Sequence, residues 1–239
     1  MLPMKNQYFG DRRDLFKYDL LLDLVESHGS RRLTFIPMLT PNDGSGEGGL
    51  TRYDCAGRRS LLYESLRAAV ASGERNIKLL REIMPKLGVE FSPYRDAHHL
   101  EQHSRTQYFD SVPSDWLANS VIFFDPDVGL QTGRQGYMRQ KGPEKYLMYS
   151  ELAGVCARAS GDSVVVVYQQ LQRNALKHVG DIERRLKDLK LHLAAEDVWA
   201  VRQGDLAFLV VATNHSLGDR IGSTVRDHAL RHGLDFSPP

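Results

Sequence analysis

The residues best suited to chemistry are Asp125 and Asp127, two carboxylates separated by one proline. They follow an unbroken apolar run at 121–124 and precede Val128-Gly129. Such a run is typical of a buried parallel strand, and functional residues gather at the carboxyl ends of such strands. We therefore expect both carboxylates to face a solvent-filled cleft and to act as catalytic acids. The alternative is a surface turn in which an aspartate caps the next helix.

Two more aspartates are candidates for the same acidic edge. Asp43 lies in the polar turn after a predicted strand, together with Thr40 and Asn42, which are candidate substrate contacts. Asp11 lies just before a predicted helix. Nearby carboxylates can orient an attacking water and stabilise positive charge on a sugar ring. We expect Asp11 and Asp43 to complete the catalytic group.

Aromatic and amide side chains supply candidate contacts to a nucleobase. A flipped base is held by stacking and by hydrogen bonds to its edge, and Tyr8, Phe9, Tyr168 and Gln169 provide those groups. Gln169 follows a valine-rich strand, so its amide is expected at the functional edge. The alternatives are core packing for Tyr168 and a hydrophobic staple for Tyr8 and Phe9.

Three basic residues are the candidate phosphate contacts. Lys17, Arg52 and Lys145 each adjoin a tyrosine near a predicted functional turn. Surface salt bridges are the alternative for each of them. The net charge is only +1, which argues against a global positive field for nucleic acid. We therefore expect DNA to bind through a local basic groove.

A metal site is a weaker interpretation of the same residues. Asp43, Asp125 and Asp127 offer the oxygen ligands that magnesium prefers, as in a nuclease. However, the next predicted strand carries no Glu-x-Lys sequence, and the histidines at 98–103 lack an acidic helix motif. We expect neither a metal nor a cofactor.

The elements that must position these residues follow from periodicity and turn residues. A helix is predicted at 14–28, with Asp14 as N-cap and Gly29 as its end. Residues 92–118 are expected to be irregular and polar. The other predicted strands are 32–39, 120–124, 163–168, 198–202 and 206–213, and the other predicted helices are 60–72, 75–87, 143–159, 174–194 and 218–232.

This order predicts an α/β fold. Alternating strands and helices indicate a Rossmann-like, mostly parallel sheet with helices on both faces. The last two strands are joined by only three residues, so they must form a C-terminal antiparallel hairpin. That combination resembles the class I methyltransferase architecture. The 239 residues are expected to form a single domain, 1–239, with a helical insertion at about 55–118.

The composition favours a cytoplasmic protein. The two cysteines, Cys55 and Cys156, belong to no CxxC motif, which excludes a disulfide framework and a cysteine zinc site. The chain contains no apolar stretch of membrane-spanning length, and we expect no secretory signal. We expect no membrane partner, and the sequence leaves the oligomeric state open.

Three longer motifs carry a resemblance to a known family. They are Lys-Asn-Gln-Tyr-Phe-Gly-Asp at 5–11, Met-Leu-Thr-Pro-Asn-Asp-Gly at 38–44 and Phe-Phe-Asp-Pro-Asp-Val-Gly-Leu at 123–130. On these motifs the chain resembles a widespread family of uncharacterised bacterial proteins. The resemblance implies that some members are glycosylases acting on phage DNA in bacterial defence. We therefore expect a DNA glycosylase that excises a modified base and leaves an abasic site.

Two further functions remain open. Asp125-Pro126 lies where amino-methyltransferases place an Asp-Pro-Pro-aromatic motif, which favours an S-adenosylmethionine-dependent nucleic-acid methyltransferase. Here Asp127 and Val128 replace the second proline and the aromatic residue, and Pro41 removes a backbone donor from the expected cofactor turn. The other function is a non-catalytic nucleotide-binding module built on the same sheet.

Overall fold

The computed structural model describes residues 6–42, 49–55, 57–100, 105–133, 135–159, 161–172 and 174–239. Its helices are α1 (Arg12–His28), α2 (Ser60–Ser72), α3 (Leu80–Lys86), α4 (Arg105–Asp110), α5 (Ser114–Leu117), α6 (Gln135–Lys141), α7 (Tyr149–Cys156), α8 (His178–Leu193) and α9 (His215–Arg231). Its strands are β1 (Arg32–Pro37), β2 (Glu90–Pro93), β3 (Val121–Asp125), β4 (Gly129–Leu130), β5 (Tyr146–Leu147), β6 (Val164–Gln170), β7 (Val198–Gln203), β8 (Leu206–Ala212) and β9 (Asp235–Ser237).

A seven-stranded sheet forms the centre of the molecule, in the order β2-β1-β3-β6-β8-β7-β9. The first four strands in this order are mutually parallel. Strand β8 is antiparallel to both β6 and β7, and β9 is antiparallel to β7. The predicted mostly parallel α/β sheet with a C-terminal antiparallel hairpin is confirmed.

Helices cover both faces of this sheet. One core packs α1, α2, α3 and α9 against one face, and a second core packs α4, α7 and α8 against the other. The central strands β3 and β6 are therefore apolar on both faces, as their unbroken runs of valine and phenylalanine require. Among the described residues, no helix combines the length and the apolar character needed to cross a bilayer.

Short elements differ from the sequence-based predictions. The expectation that residues 92–118 are irregular is wrong, because this segment contains α4, α5 and the end of β2. Strand β2 joins the edge of the sheet beside β1. The helix expected at 143–159 begins only at Tyr149, because Tyr146 and Leu147 pair with β4 instead. These strands contain two to four residues, too few to show a period in the sequence.

The beginning of α1 also differs by one turn. Asp11, not Asp14, is the N-cap, and its side chain accepts hydrogen bonds from the backbone N–H groups of Arg13 and Asp14. The predicted end is confirmed, since Gly29 adopts the left-handed conformation with φ of 88°. Gly10, just before the cap, also has a positive φ of 85°. Helix α1 is thus bounded by a glycine turn at each end.

We predict that Gly10→Ala destabilises the protein more than Gly29→Ala. Both substitutions place a side chain at positive φ, which costs about 1–2 kcal/mol. At Gly10 the added Cβ would also lie 2.9 Å from the carbonyl oxygen of Leu66, whereas at Gly29 it meets nothing within 4 Å among the described residues. That contact adds about 1–3 kcal/mol of overpacking. Urea unfolding measures both variants, and equal losses would contradict the prediction.

Candidate functional site at the carboxyl edge of the sheet

The strand order reverses at β1, which places a crevice at one edge of the sheet. Strand β1 has β2 on one side and β3 on the other. The connection from β1 to β2 and the connection from β3 to β6 therefore run in opposite directions along the sheet. In open α/β sheets, ligands bind at this position. The backbone N–H of Met38, just after β1, donates to the carbonyl of Asp125 at the end of β3, with N and O 3.2 Å apart. The predicted aspartate turn therefore begins at this crevice.

A buried lysine lies against the end of β3. Lys17 on α1 places its Nζ 2.8 Å from Asp125 Oδ2 and 3.0 Å from Asp14 Oδ1. The three side chains are only 4%, 2% and 8% exposed. We call these residues the Asp–Lys–Asp cluster. It joins the first turns of α1 to the carboxyl edge of the sheet.

The turn before α1 orients the acidic members of this region. The N–H of Gly10 donates to Asp14 Oδ2 at 2.9 Å, and the N–H groups of Arg13 and Asp14 donate to Asp11 Oδ1 at 2.8 and 3.1 Å. The N-terminal end of a helix carries positive potential, which favours carboxylates there. Backbone donors thus fix Asp11 and Asp14 beside Lys17.

Aromatic rings form the walls around the ammonium group. Lys17 Nζ lies 5.3 Å from the ring centre of Tyr18, 5.9 Å from that of Phe123 and 5.6 Å from that of Tyr168. These distances are within the range of cation–π attraction. The rings also exclude water, which strengthens the charge interactions between Lys17 and its carboxylates.

Burial shifts the protonation of the acidic groups towards neutral pH. It raises the pKa of Asp125 to about 6, although Lys17 opposes the shift. It also raises the pKa of Asp11 to about 6, with a further contribution from Asp14. Burial disfavours the charged form of Lys17, yet Asp125 and Asp14 hold its pKa well above the usual value. The site therefore offers carboxyl groups that exchange protons near pH 6 beside a permanent cation.

The expectation that Asp125 and Asp127 face a solvent-filled cleft is wrong for the described structure. Each residue is 1% exposed. The charge of Asp125 is balanced by Lys17, which is 108 residues away in the chain. Lys17 is itself enclosed by two carboxylates, so its ammonium is not presented to a phosphate. Asp43 lies outside the described residues.

Gln169 is bonded to the backbone inside the protein and does not have the exposed position expected of a base contact. It is fully buried, and its Oε1 accepts from the N–H of Leu130 at 3.0 Å. Its Nε2 donates to the carbonyls of Gln170 at 2.6 Å and Val128 at 3.4 Å. Both amide hydrogens are thereby used. Gln169 fastens the short strand β4 to β6.

The three predicted aromatic contacts are packed to different degrees. Phe9 is 1% exposed and lies in the core, with its ring centre 6.4 Å from that of Tyr18. Tyr168 is 8% exposed and meets Phe208 edge-on at 6.0 Å. Tyr8 is half-buried. The ring of Tyr168 lies against the Asp–Lys–Asp cluster, with its centre 5.6 Å from Lys17 Nζ.

The turn after β1 contributes one buried hydroxyl. Thr40 is 6% exposed, and its Oγ1 has no hydrogen-bond partner among the described residues. Asn42 is exposed, and its Oδ1 accepts from the N–H of Gln7 at 3.4 Å. Thr40 thus brings to this turn a buried hydroxyl whose hydrogen-bonding capacity the described residues leave unused.

The other predicted phosphate contacts lie apart from the cluster. Arg52 is exposed and lines a cavity of about 430 Å³, whose lining residues are Arg12, Leu15, Arg52, Tyr53, Asp54, Arg58, Gln203 and His232. This cavity lies on the opposite side of α1 from the cluster, because residues 12 and 14 are about 200° apart around a helix. Lys145 is partly exposed, and its carbonyl accepts from the N–H of Val128 at 2.9 Å.

Two members of the site were not singled out as functional from the sequence. The sequence predicts Asp14 only as a helix cap and gives no signal that distinguishes Tyr18 from an ordinary helix residue. The i, i+3 spacing of Asp14 and Lys17 is the signal that indicates their pairing. No comparable signal connects Asp125 to α1.

The chain has no significant match among protein-family models, curated proteins or solved structures. Its class is therefore defined by the fold and the site. It is a Rossmann-like α/β protein with a buried ionisable cluster at the carboxyl edge of its sheet.

We predict that Lys17→Met lowers the free energy of unfolding by about 3–5 kcal/mol at pH 8, because it leaves buried carboxylates without their cation. The loss should be smaller at pH 5, where Asp125, with its pKa of about 6, takes up a proton and needs no partner.

Glu90→Gln is the matched control, because it breaks the exposed pair of Glu90 with Arg32. It should cost less than about 1 kcal/mol at either pH. Denaturant unfolding at pH 5 and pH 8 measures both variants. A loss for Lys17→Met that does not depend on pH would contradict the prediction.

Proposed function

We propose that the protein is a hydrolase that cleaves the N-glycosidic bond of a base in DNA. The observation that carries the proposal is the buried Asp–Lys–Asp cluster at the carboxyl edge of a parallel sheet, where Lys17 Nζ lies 2.8 Å from Asp125 and 3.0 Å from Asp14. Burial raises the pKa of Asp125, and that of Asp11 at the cap of α1, to about 6. Shifted carboxyl groups with specific charge partners are characteristic of catalytic sites. The family resemblance of the motifs that contain both residues supports the same choice.

The chemistry requires negative charge beside the sugar. Glycosidic cleavage passes through a transition state that resembles an oxocarbenium ion, which an ionised carboxylate stabilises while another orients water. Asp125 is the proposed water-positioning group, because Lys17 fixes its orientation at 2.8 Å. Asp127, two residues farther along the same turn, is proposed to stabilise the sugar cation. Both carboxylates are 1% exposed, so these roles require substrate binding to displace the chain that covers the turn. Asp11 assists from the cap of α1.

DNA is the proposed substrate. The family resemblance implies that the base released is a modified base of phage DNA, and we propose that the reaction takes place in the cytoplasm. Basic side chains near the beginning of α1 support a DNA contact. Arg12 follows Asp11 directly and lines the cavity together with Arg52, and both residues are exposed. Guanidinium groups bind phosphates with good geometry. This cavity is proposed to hold the DNA backbone on the side of α1 away from the Asp–Lys–Asp cluster, so the bound strand must cross the beginning of α1 to reach the sheet edge. Thr40 is proposed to contact the substrate at that edge.

We predict that Asp125→Asn and Asp11→Asn each abolish base release from DNA in protein that circular dichroism shows to be folded. Asp125→Asn also lowers the free energy of unfolding, because Lys17 then keeps only Asp14 as a charged partner. Asparagine is as good an N-cap as aspartate, so Asp11→Asn removes the acid and keeps the cap. Asp197→Asn, which alters a pair with the exposed His215, should retain full activity. The assay incubates normal and modified DNA with the protein and detects free base and alkali-labile sites by mass spectrometry. Full activity of both acid variants would refute the proposal.

We predict that kcat/KM for base release increases as the pH rises through about 6 and is constant above pH 7. Both proposed roles need ionised carboxylates, and Asp11 and Asp125 lose their protons near pH 6. Measuring kcat/KM between pH 4.5 and 8.5 tests for this rise. A rate that falls through this range would assign the carboxyl groups as proton donors instead.

A nucleic-acid methyltransferase is the second candidate, favoured by the sheet. Strand β8 lies antiparallel between β6 and β7, as the resemblance to class I methyltransferases implies. This support is a likeness of fold alone. The same assay separates the candidates. Methyl transfer only with S-adenosylmethionine would replace the glycosylase, and strand cleavage only with Mg²⁺ would indicate a nuclease.

A further inference from the structure

A second polar cluster lies between α1 and α9, away from the site described above. Asp19, His228 and His232 each bring one ligand atom to within 4.8 Å of the others. His232 Nε2 lies 3.2 Å from Asp19 Oδ2. Asp19 is on the opposite side of α1 from Lys17, because two residues span about 200° of the helix. The cluster is therefore independent of the Asp–Lys–Asp cluster.

One ring nitrogen of His228 is buried and, within the described part of the chain, free to bind a ligand. The residue is fully buried, and its Nδ1 lies 2.6 Å from Asp23 Oδ2. An ionised carboxylate accepts, so Nδ1 is the donor, and in the neutral ring the lone pair is then on Nε2. Nε2 has no hydrogen-bond partner among the described residues. A buried polar atom in this condition is costly unless something binds it.

We propose that Asp19, His228 and His232 bind a divalent transition metal ion of the zinc type. Two histidines at i and i+4 and one carboxylate form a common donor set for zinc. Ligands about 2.0–2.1 Å from a tetrahedral ion are about 3.3 Å apart, close to the Asp19–His232 spacing. The contact of His228 with Asp23 has the geometry of the second-sphere carboxylates that orient metal-binding histidines.

The surrounding arginines determine which ions this site accepts. Arg58 and Arg59 donate to the two oxygens of Asp19 at 3.1 and 3.0 Å, and Arg231 donates to Asp23 at 3.1 Å. The negative charge of both carboxylates is thus already shared. An ion must bind mainly through the imidazoles, which suit zinc and cobalt and do not suit magnesium. Affinity below that of fully structural zinc sites is expected.

The cavity beside α1 provides the route to this site. His232 and Arg58 both line it. Three protein ligands leave a fourth position on a tetrahedral ion, as in zinc sites that bind water or a substrate group. An ion at this position would therefore be reached from the same cavity that holds Arg12 and Arg52.

The test is titration of the tag-free, full-length chain with Co²⁺, followed by visible absorption and by equilibrium dialysis. One equivalent should bind and show the intense absorption of tetrahedral cobalt, Zn²⁺ should displace it, and Mg²⁺ should not. His232→Ala should lower the affinity at least tenfold. His215→Ala is the matched control, because His215 is 85% exposed and pairs with Asp197 on the surface. It should bind as the wild type does.

Two results would overturn the proposal. One is no binding of Co²⁺ or Zn²⁺ by the wild-type chain, which would leave the cluster as an ion-pair network between helices. The other is equal affinity of the wild type and a folded His232→Ala variant, which would assign the metal to surface histidines. Circular dichroism checks the fold of the variant, and His232→Gln replaces it if the alanine variant does not fold.

Discussion

The burial of one ammonium group between two carboxylates is the constraint on which this structure depends. Removing an ion from water costs several kcal/mol, and only close partners compensate that cost. Lys17 therefore requires Asp14 and Asp125 at about 3 Å. Because Asp125 ends the central strand β3, the first turns of α1 are held to the edge of the sheet. The tight turn at Gly10 and the cap at Asp11 follow from this position.

Helix α1 carries two polar faces, each used for a different purpose. Asp14 and Lys17 face the strands. Asp19 and Asp23 face α9 and the two arginines just before α2, Arg58 and Arg59. Most of the remaining positions are apolar and buried. For this reason, the sequence pattern of α1 indicates only an ordinary amphipathic helix. Four of its charged residues, Asp14, Lys17, Asp19 and Asp23, are buried and paired instead of lying in solvent.

The sequence predicts local features of this protein well and long-range pairing poorly. The unbroken apolar run before Asp125 and the short link that joins β7 to β8 are local signals, so the sequence predicts β3 and the terminal hairpin correctly. The burial of Asp125 depends on Lys17, a partner in a distant helix, and no periodicity encodes that contact. Gln169 was expected at an open edge because the two-residue strand β4 that covers it has no signature of its own.

The aspartate turn is anchored at several points by hydrogen bonds from outside it. Asp125 accepts from Met38, Val128 donates to Lys145 and accepts from Gln170, and Leu130 donates to the Gln169 amide. A segment held in this way loses little conformational entropy when a ligand arrives, since its shape is already set. The aspartate turn therefore keeps its conformation when a ligand binds at this edge. Any conformational change on binding occurs in the ligand and in the chain around the turn.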